Sequence, residues 1–215
     1  MSTDVRWVMV EDRGLVGRRM NITGVSSDMG KAILKKLTSA GAYWTVDDRI
    51  DILVNCIGGM SRHKYQHFLD QPIADHLDVF HSNYELPMMS SVDAFRRMRA
   101  QGYGRIINIS STAVKYVGAN SLAYAAAKSA LETFTMGLAR EGAKDNVLCN
   151  VVRLGPIETS GRQKIEGYDS GKWNDRVGMV PVGRAGTVED VARSVLHLVS
   201  SDFITGSIMT VAGGE

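Results

Sequence analysis

The chain has 215 residues, 44% of them hydrophobic, which suffices for one sizeable core and makes residues 1–215 a single expected domain. Because 25 Lys and Arg residues nearly balance 23 Asp and Glu residues, no basic field indicates a nucleic-acid partner. No apolar run reaches the roughly eighteen residues of a membrane span, and two cysteines within apolar runs do not indicate a disulfide framework. We therefore expect a soluble, cytoplasmic protein.

Short β-branched runs alternate with helical patterns, which predicts an α/β fold with a parallel sheet and helices on both faces. In chain order the predicted elements are strand 19–23, helix 28–40, strand 50–56, helix 73–100, strand 105–111, helix 122–142, strand 147–153, helix 187–200 and strand 207–212. The Gly-rich and charge-rich stretch 158–186 is predicted to form a mobile lid over a substrate.

Tyr124 and Lys128 stand four residues apart in a predicted helix, so their side chains share one face. An ammonium beside a phenol favours the phenolate, and a lowered Tyr pKa suits acid and base chemistry on an alcohol or carbonyl oxygen. Ser111 ends a predicted buried strand, at the edge where open α/β sheets bind ligands. The Tyr–Lys spacing alone is a weak signal, since both residues are common on helix surfaces.

Further motifs, in matching order and spacing, make the chain resemble the short-chain dehydrogenase/reductase family from about Gly14 to Gly214. They are Asn55-Cys56-Ile57-Gly58, Phe80-His81-Ser82-Asn83, Leu154-Gly155-Pro156-Ile157-Glu158-Thr159 and Val211-Ala212-Gly213-Gly214, together with Ser111, Tyr124 and Lys128. The resemblance implies a Rossmann-like sheet and an oxidoreductase that interconverts a secondary alcohol and a ketone with NAD or NADP.

The resemblance also implies a role for each member of the catalytic set. Tyr124 would exchange a proton with the substrate oxygen that Ser111 holds. Lys128 would lower the pKa of Tyr124 and bind the nicotinamide ribose, while Asn83 would hold a water that links Lys128 to solvent. The residues implied in cofactor binding are Thr23, Gly24, Gly30, Asn55, Gly58, Lys128, Gly155, Pro156 and Thr159.

The glycine-rich turn, residues 23–30, departs from the family's T-G-x-x-x-G-x-G pattern at Asp28. The family's middle glycine at this place lets the backbone approach the pyrophosphate at a helix N-terminus. Asp28 is a sensible helix cap. Beside a phosphate, however, its carboxylate is expected to weaken binding by about a thousandfold. The binding of NAD or NADP is therefore predicted to be impaired.

The predicted cofactor-binding part, residues 14–60, is also short. The family places two further strands between Gly30 and Asn55, an interval shorter here than one βαβ unit of roughly 30 residues. We predict that the second and third strands of the usual order are lacking, because residues 43–49 cannot supply two such units, and that Asp47 and Asp48 lie in a loop leading into the strand 50–56. The first helix then needs either a change of face or a left-handed crossover. Residues 5–10 are a candidate to pair with the exposed sheet edge.

Three hypotheses for function follow. The first is an alcohol–ketone oxidoreductase whose own cofactor site is impaired. The second is a degenerate, non-NAD-binding subunit of a hetero-oligomer with a full-length family member. A homo-oligomer is the alternative assembly. The third is hydride-free proton chemistry, such as an aldol-type or elimination step, on the same scaffold. In each case the ligand is expected to be a small molecule.

Basic residues lie near the predicted crevice and in the lid: Arg62, His63, Lys64, Arg162, Lys164, Lys172 and Arg176. An anionic substrate, such as a carboxylate or a CoA ester, is one interpretation. Solvated lid charges are the favoured one. His63 and His67 have the spacing of a metal pair but lack an evident third ligand nearby, so no metal site is predicted.

Overall fold

The computed structural model describes residues 13–60, 67–118, 120–161 and 169–215, and these contain one six-stranded sheet. The strands are β1 (Arg19–Thr23), β2 (Tyr43–Trp44), β3 (Ile52–Asn55), β4 (Gly104–Ser111), β5 (Val147–Leu154) and β6 (Ile208–Val211). All neighbours pair in parallel in the order β2-β1-β3-β4-β5-β6. The predicted α/β fold is confirmed. The predictions for residues 5–10, Arg62, His63, Lys64, Arg162 and Lys164 fall outside the described residues.

Helices cover both faces of the sheet. They are α1 (Asp28–Ser39), α2 (Ile73–Phe80), α3 (Leu86–Gln101), α4 (Leu122–Gly142), α5 (Ser170–Gly178) and α6 (Val188–Ser200). Alternate residues of β4 face opposite ways: Ile107 joins the core under α1 and α6, whereas Ile106 joins the core under α3 and α4. Burial on both faces explains the apolar strand sequences. No helix in the described part of the chain is long and apolar enough to cross a membrane.

The outer side of β1 carries a short strand that the sequence did not predict. In β2, Tyr43 and Trp44 pair with Arg19 and Met20, so the prediction that the second strand is lacking is wrong. Two residues cannot display an alternating pattern, and the side chains of Tyr43 and Trp44 are both about half exposed, so the sequence contains no strand signal at this place. The usual doubly wound order has two strands on this side of β1, and the described residues supply one.

The chain reaches the other side of β1 after β2, not directly after α1. Residues 45–51 make this connection, and the Asp51 N–H then donates to the Arg19 carbonyl. The Asp51 carboxylate is fully buried and accepts the Arg19 N–H at 2.9 Å. Since α1 leads first to β2 on the outer side of β1 and packs against α6, the direct connection from α1 to β3 that called for a change of face or a left-handed crossover does not occur.

The predicted helix 73–100 contains one wide turn. Between α2 and α3, residues His81–Glu85 adopt a π-helical turn with Asn83 at its centre. Pro87 has no N–H, so it cannot supply the usual i+4 hydrogen bond to the Asn83 carbonyl. Such turns often mark functional sites, and this one places a predicted catalytic residue beside Gly58.

Candidate active site

A cavity of about 250 Å³ opens where strands β3, β4 and β5 end. Its lining consists of Met29, Cys56, Ile57, Gly58, Ile109, Ser110, Ser111, Tyr124, Lys128, Leu154, Gly155, Ile157 and Thr159. A larger cavity, of about 360 Å³, lies between residues 182–186, α6 and β6. We assign the site to the smaller cavity because its wall holds a serine, a tyrosine and a lysine together at the ligand-binding edge of the sheet.

Ser111 at the end of β4 and Tyr124 in the first turn of α4 both line the cavity. The Ser111 hydroxyl accepts the Ala113 N–H at 3.2 Å, which holds the serine at the start of the following turn. Burial raises the pKa of the Tyr124 phenol above its ordinary value, and interaction with the Ser111 hydroxyl opposes that rise. The phenol is therefore protonated at neutral pH and able to donate a proton.

Lys128 lies one helical turn after Tyr124, and only 3% of it is exposed. Its Nζ donates to the Ile109 carbonyl at 2.9 Å and lies 5.7 Å from the centre of the Tyr124 ring. Burial lowers the pKa of Lys128 to about 8. Burial is the largest cause of the shift at the phenol, and the Lys128 amine donates to a carbonyl. That Lys128 lowers the pKa of Tyr124 stays a prediction.

We expect the Lys128 amine to titrate near pH 8. In the unfolded chain a lysine titrates at about 10.4. The unfolded state therefore binds more protons between these pH values, and stability should rise with pH across this window. The rate of Lys128 acetylation, followed by mass spectrometry of its peptide, should show a midpoint near pH 8 in the native protein and near 10.4 in urea. The same high midpoint in both states would contradict the assignment.

Asn83 is fully buried beneath Gly58. Its Nδ2 donates to the Val79 carbonyl at 2.8 Å and to the Gly59 carbonyl at 2.7 Å, while Oδ1 is buried without a partner among the described residues. Gly58 has φ +120°, and a Cβ there would lie 2.3 Å from Oδ1, so only glycine fits. An unpaired buried oxygen is a natural place for a bound water. The water-holding role of Asn83 stays a prediction.

Asn55 forms a hydrogen-bond network behind the cavity. Its Nδ2 donates to Ser91 at 2.9 Å and to Asn108 at 2.8 Å, and its Oδ1 accepts from Thr23 and Ser90. The amide thus ties β1, β3, β4 and α3 together. Asn55 and Thr23 were predicted to bind cofactor, and in the structure their side chains support the cavity wall.

The predicted glycines permit close packing around the turn after β1. Gly24 has φ +72°, and a Cβ on it would lie 2.8 Å from the Cys56 carbonyl. A Cβ on Gly30 would lie 2.4 Å from the Gly24 carbonyl. At the opposite wall, the Gly155 N–H donates to Val211 in β6, and the Pro156 carbonyl accepts the Gly186 N–H. Of the predicted cofactor residues, Gly58, Lys128, Gly155 and Thr159 line the cavity.

Asp28 begins α1 but does not cap it, contrary to the prediction. The N-cap is Ser27, whose hydroxyl accepts the Gly30 N–H at 3.1 Å. The Asp28 carboxylate instead accepts the Ser160 N–H at 2.6 Å. Hydrogen bonds from Ser160 lower the pKa of Asp28 most, and nearby Lys31 lowers it further. Asp28 is therefore ionised at neutral pH and joins the glycine turn to the segment that follows Thr159.

The two ends of a nicotinamide dinucleotide meet different surroundings. Near Lys128 and Thr159 the cavity offers polar groups suited to a nicotinamide nucleoside. At the start of α1, where a pyrophosphate is normally bound, an ionised carboxylate is already hydrogen-bonded to Ser160. The nicotinamide end therefore fits the residues present, and the pyrophosphate end does not.

One of the predicted lid charges is paired. Arg176 of α5 forms an ion pair with the carboxylate of Glu215, which also accepts a hydrogen bond from the Thr112 hydroxyl. The favoured interpretation of solvated lid charges is therefore wrong for Arg176. The described residues contain no group of three or more metal-ligating side chains. His63, half of the histidine pair, lies outside them.

Met29 and Cys56 are among the lining residues that were not predicted to belong to the site. Met29 was assigned to the apolar face of a helix and Cys56 to a buried strand, yet both line the cavity. Their positions at a helix start and a strand end contained the signal, because those ends converge at the ligand-binding edge. The pKa of the Cys56 thiol is raised to about 11 by burial, and neither Cys56 nor Cys149 is in a disulfide.

A parallel α/β sheet with this Ser-Tyr-Lys set at its carboxyl edge defines the class as a Rossmann-like enzyme. Residues 26–215 match the family model described as enoyl-(acyl carrier protein) reductase. The chain is 30% identical to the 3-oxoacyl-(acyl-carrier-protein) reductase FabG of Aquifex aeolicus, over 96% of this chain and 90% of that protein. The chain belongs to the short-chain dehydrogenase/reductase family of oxidoreductases.

Other relatives support the same family. The chain is 32% identical to a 7alpha-hydroxysteroid dehydrogenase of Clostridium sardiniense, over 78% of this chain and 64% of that protein. A gluconate 5-dehydrogenase from Burkholderia cenocepacia, solved with NADP and tartrate, is 25% identical with a TM-score of 0.84, covering 95% of this chain and 97% of that one. The Aquifex alignment spans 230 positions, more than this chain's 215 residues, so that relative has residues without a counterpart here.

Proposed function

We propose that the chain interconverts a ketone and a secondary alcohol in a small molecule, with its own dinucleotide site impaired. The observation that carries the proposal is that Ser111, Tyr124 and Lys128 line the same small cavity. The names of the relatives, which include hydroxysteroid and gluconate dehydrogenases, support this reaction class.

In the proposed reaction, Ser111 donates a hydrogen bond to the substrate oxygen and Tyr124 transfers a proton to or from it. The raised pKa of Tyr124 keeps the phenol protonated, which favours proton donation and thus ketone reduction. Lys128 binds the nicotinamide ribose and, because its amine is largely protonated below about pH 8, supplies positive charge in the cavity. A nicotinamide ring, when bound, supplies or accepts the hydride.

A panel of ketones with NADH, NADPH and reduced nicotinamide riboside tests this function. The absorbance of the reduced nicotinamide should fall with at least one ketone and donor. Product alcohol, identified by mass spectrometry, should form in equal amount. Turnover of carbon–carbon bond formation or elimination without any nicotinamide would instead favour hydride-free chemistry.

A second function, that of a subunit which leaves nucleotide binding to a partner, is favoured by one observation. Asp28 stands at the start of α1, the part of such folds that normally receives a pyrophosphate, and its carboxylate accepts the Ser160 N–H. Under this hypothesis the chain alone has no turnover with any donor, and activity appears when a full-length family member from the same source is added. Activity of the isolated chain would exclude the subunit role as its sole function.

A further inference from the structure

The start of α1 carries a carboxylate of the chain itself. The N-terminus of a helix attracts negative charge through its free N–H groups and its dipole. Asp28 is the first residue of α1, and its carboxylate accepts the Ser160 N–H at 2.6 Å. A phosphate bound at this helix start would therefore lie beside the Asp28 carboxylate, and the Ser160 N–H is already engaged.

The Asp28 contact lies next to the cavity lining. Ser160 directly follows Thr159 and Asp28 directly precedes Met29, and both Thr159 and Met29 line the cavity. The hydrogen bond thus joins the two segments that carry these lining residues. A phosphate there has to break this contact and lie beside an ionised carboxylate.

The size of the cavity indicates the ligand that remains possible. Its volume of about 250 Å³ is below the range of roughly 300–1,000 Å³ typical of sites for larger ligands. Beyond β1 the sheet has only the two residues of β2 in the described part of the chain, with side chains about half exposed. These dimensions suit a nucleoside and leave the adenosine half of a dinucleotide without a covering strand.

We propose that Asp28 is a specificity-determining residue that excludes phosphate, so that the cavity selects a nicotinamide nucleoside over nicotinamide nucleotides and dinucleotides. The inference rests on the proposed function for the choice of a nicotinamide ligand. A carboxylate close to a phosphate in water-exposed surroundings weakens binding less than a buried one. We therefore expect a discrimination of about tenfold or more.

Calorimetric titration of the purified chain with oxidised nicotinamide riboside, nicotinamide mononucleotide, NAD and NADP tests the proposal. In the unaltered protein the riboside should bind at least about tenfold more tightly than each phosphate-bearing ligand. In Asp28→Asn, which keeps the shape and removes the charge, the phosphate-bearing ligands should gain about tenfold while riboside affinity changes little. The matched control, Glu158→Gln, removes an exposed carboxylate from the nearby turn and should leave the ratio unchanged.

Three results would overturn the proposal. NAD or NADP binds as tightly as the riboside, the Asp28→Asn variant has the same ratio of riboside affinity to NAD or NADP affinity as the unaltered protein, or the riboside does not bind at millimolar concentration. Circular dichroism and thermal melting establish that each variant is folded. The proposed function fails separately, when no ketone is reduced with any donor. If the chain prefers the riboside but reduces no ketone, the inference about Asp28 stands and the proposed function fails. If the chain reduces a ketone but binds NADP tightly, the proposed function stands and the inference about Asp28 fails.

Discussion

Replacing Tyr124 with phenylalanine is expected to reduce kcat for ketone reduction by about 10²–10⁴-fold, the usual contribution of a positioned general acid. The change removes the phenol hydroxyl from the cavity and leaves the ring in place. The rate of ketone reduction at a saturating ketone concentration, in a stopped-flow or steady-state assay, measures the effect. Affinity for nicotinamide riboside should change much less, because the proton is needed in the transition state.

Tyr116→Phe is the matched control for this substitution. Tyr116 lies in the turn after β4, is largely exposed, and should lose its hydroxyl without effect on kcat. If Tyr124→Phe retains full turnover, proton transfer in this chain uses another group, and the assignment of the cavity as the catalytic site is wrong.

Replacing Glu132 with leucine is expected to lower the free energy of unfolding by about 3–5 kcal/mol, the cost of breaking a buried ion pair. Glu132 lies one turn after Lys128 in α4. Its carboxylate accepts Nε and Nη2 of Arg153 at 2.8 and 2.6 Å, and the Ser110 hydroxyl at 2.7 Å. Without the carboxylate, a guanidinium that is only 12% exposed loses its partner. Urea unfolding followed by circular dichroism measures the change.

Two further variants separate the ion pair from general effects of the substitution. The double variant Glu132→Leu/Arg153→Met should recover much of the lost stability, because no unpaired charge remains. Glu141→Leu, on an exposed face of the same helix, should change stability by less than about 0.5 kcal/mol. A loss below about 1 kcal/mol in Glu132→Leu would show that Arg153 finds another partner.

The sheet was largely predictable because its central strands are buried on both faces. Strands β4 and β5 are almost wholly buried and carry runs of Ile, Val and Leu, and helices with a clear apolar face separate them. The strand β2 was not predictable, since Tyr43 and Trp44 are exposed and too few to form a pattern. The π-helical turn at Asn83 was also missed, although Pro87 four residues later gave a physical reason for it.

The candidate site was predictable in its members and less so in its electrostatics. Ser111, Tyr124 and Lys128 meet in one cavity because a strand end and a helix turn place them at the same edge of the sheet. The direction of the Tyr124 pKa shift depends on burial and on where the Lys128 amine points, and neither is visible in the spacing. The bond from Ser160 to Asp28 joins residues far apart in sequence, so spacing could not predict it.

We propose that this chain has a proton-transfer site beside a cavity that does not accept the phosphate end of a dinucleotide. Calorimetric titration of the isolated chain with NAD and NADP measures whether it does. We expect dissociation constants in the millimolar range or weaker for both nucleotides. A micromolar dissociation constant for either one, lost when its adenosine half is removed, would show that the chain binds a whole dinucleotide.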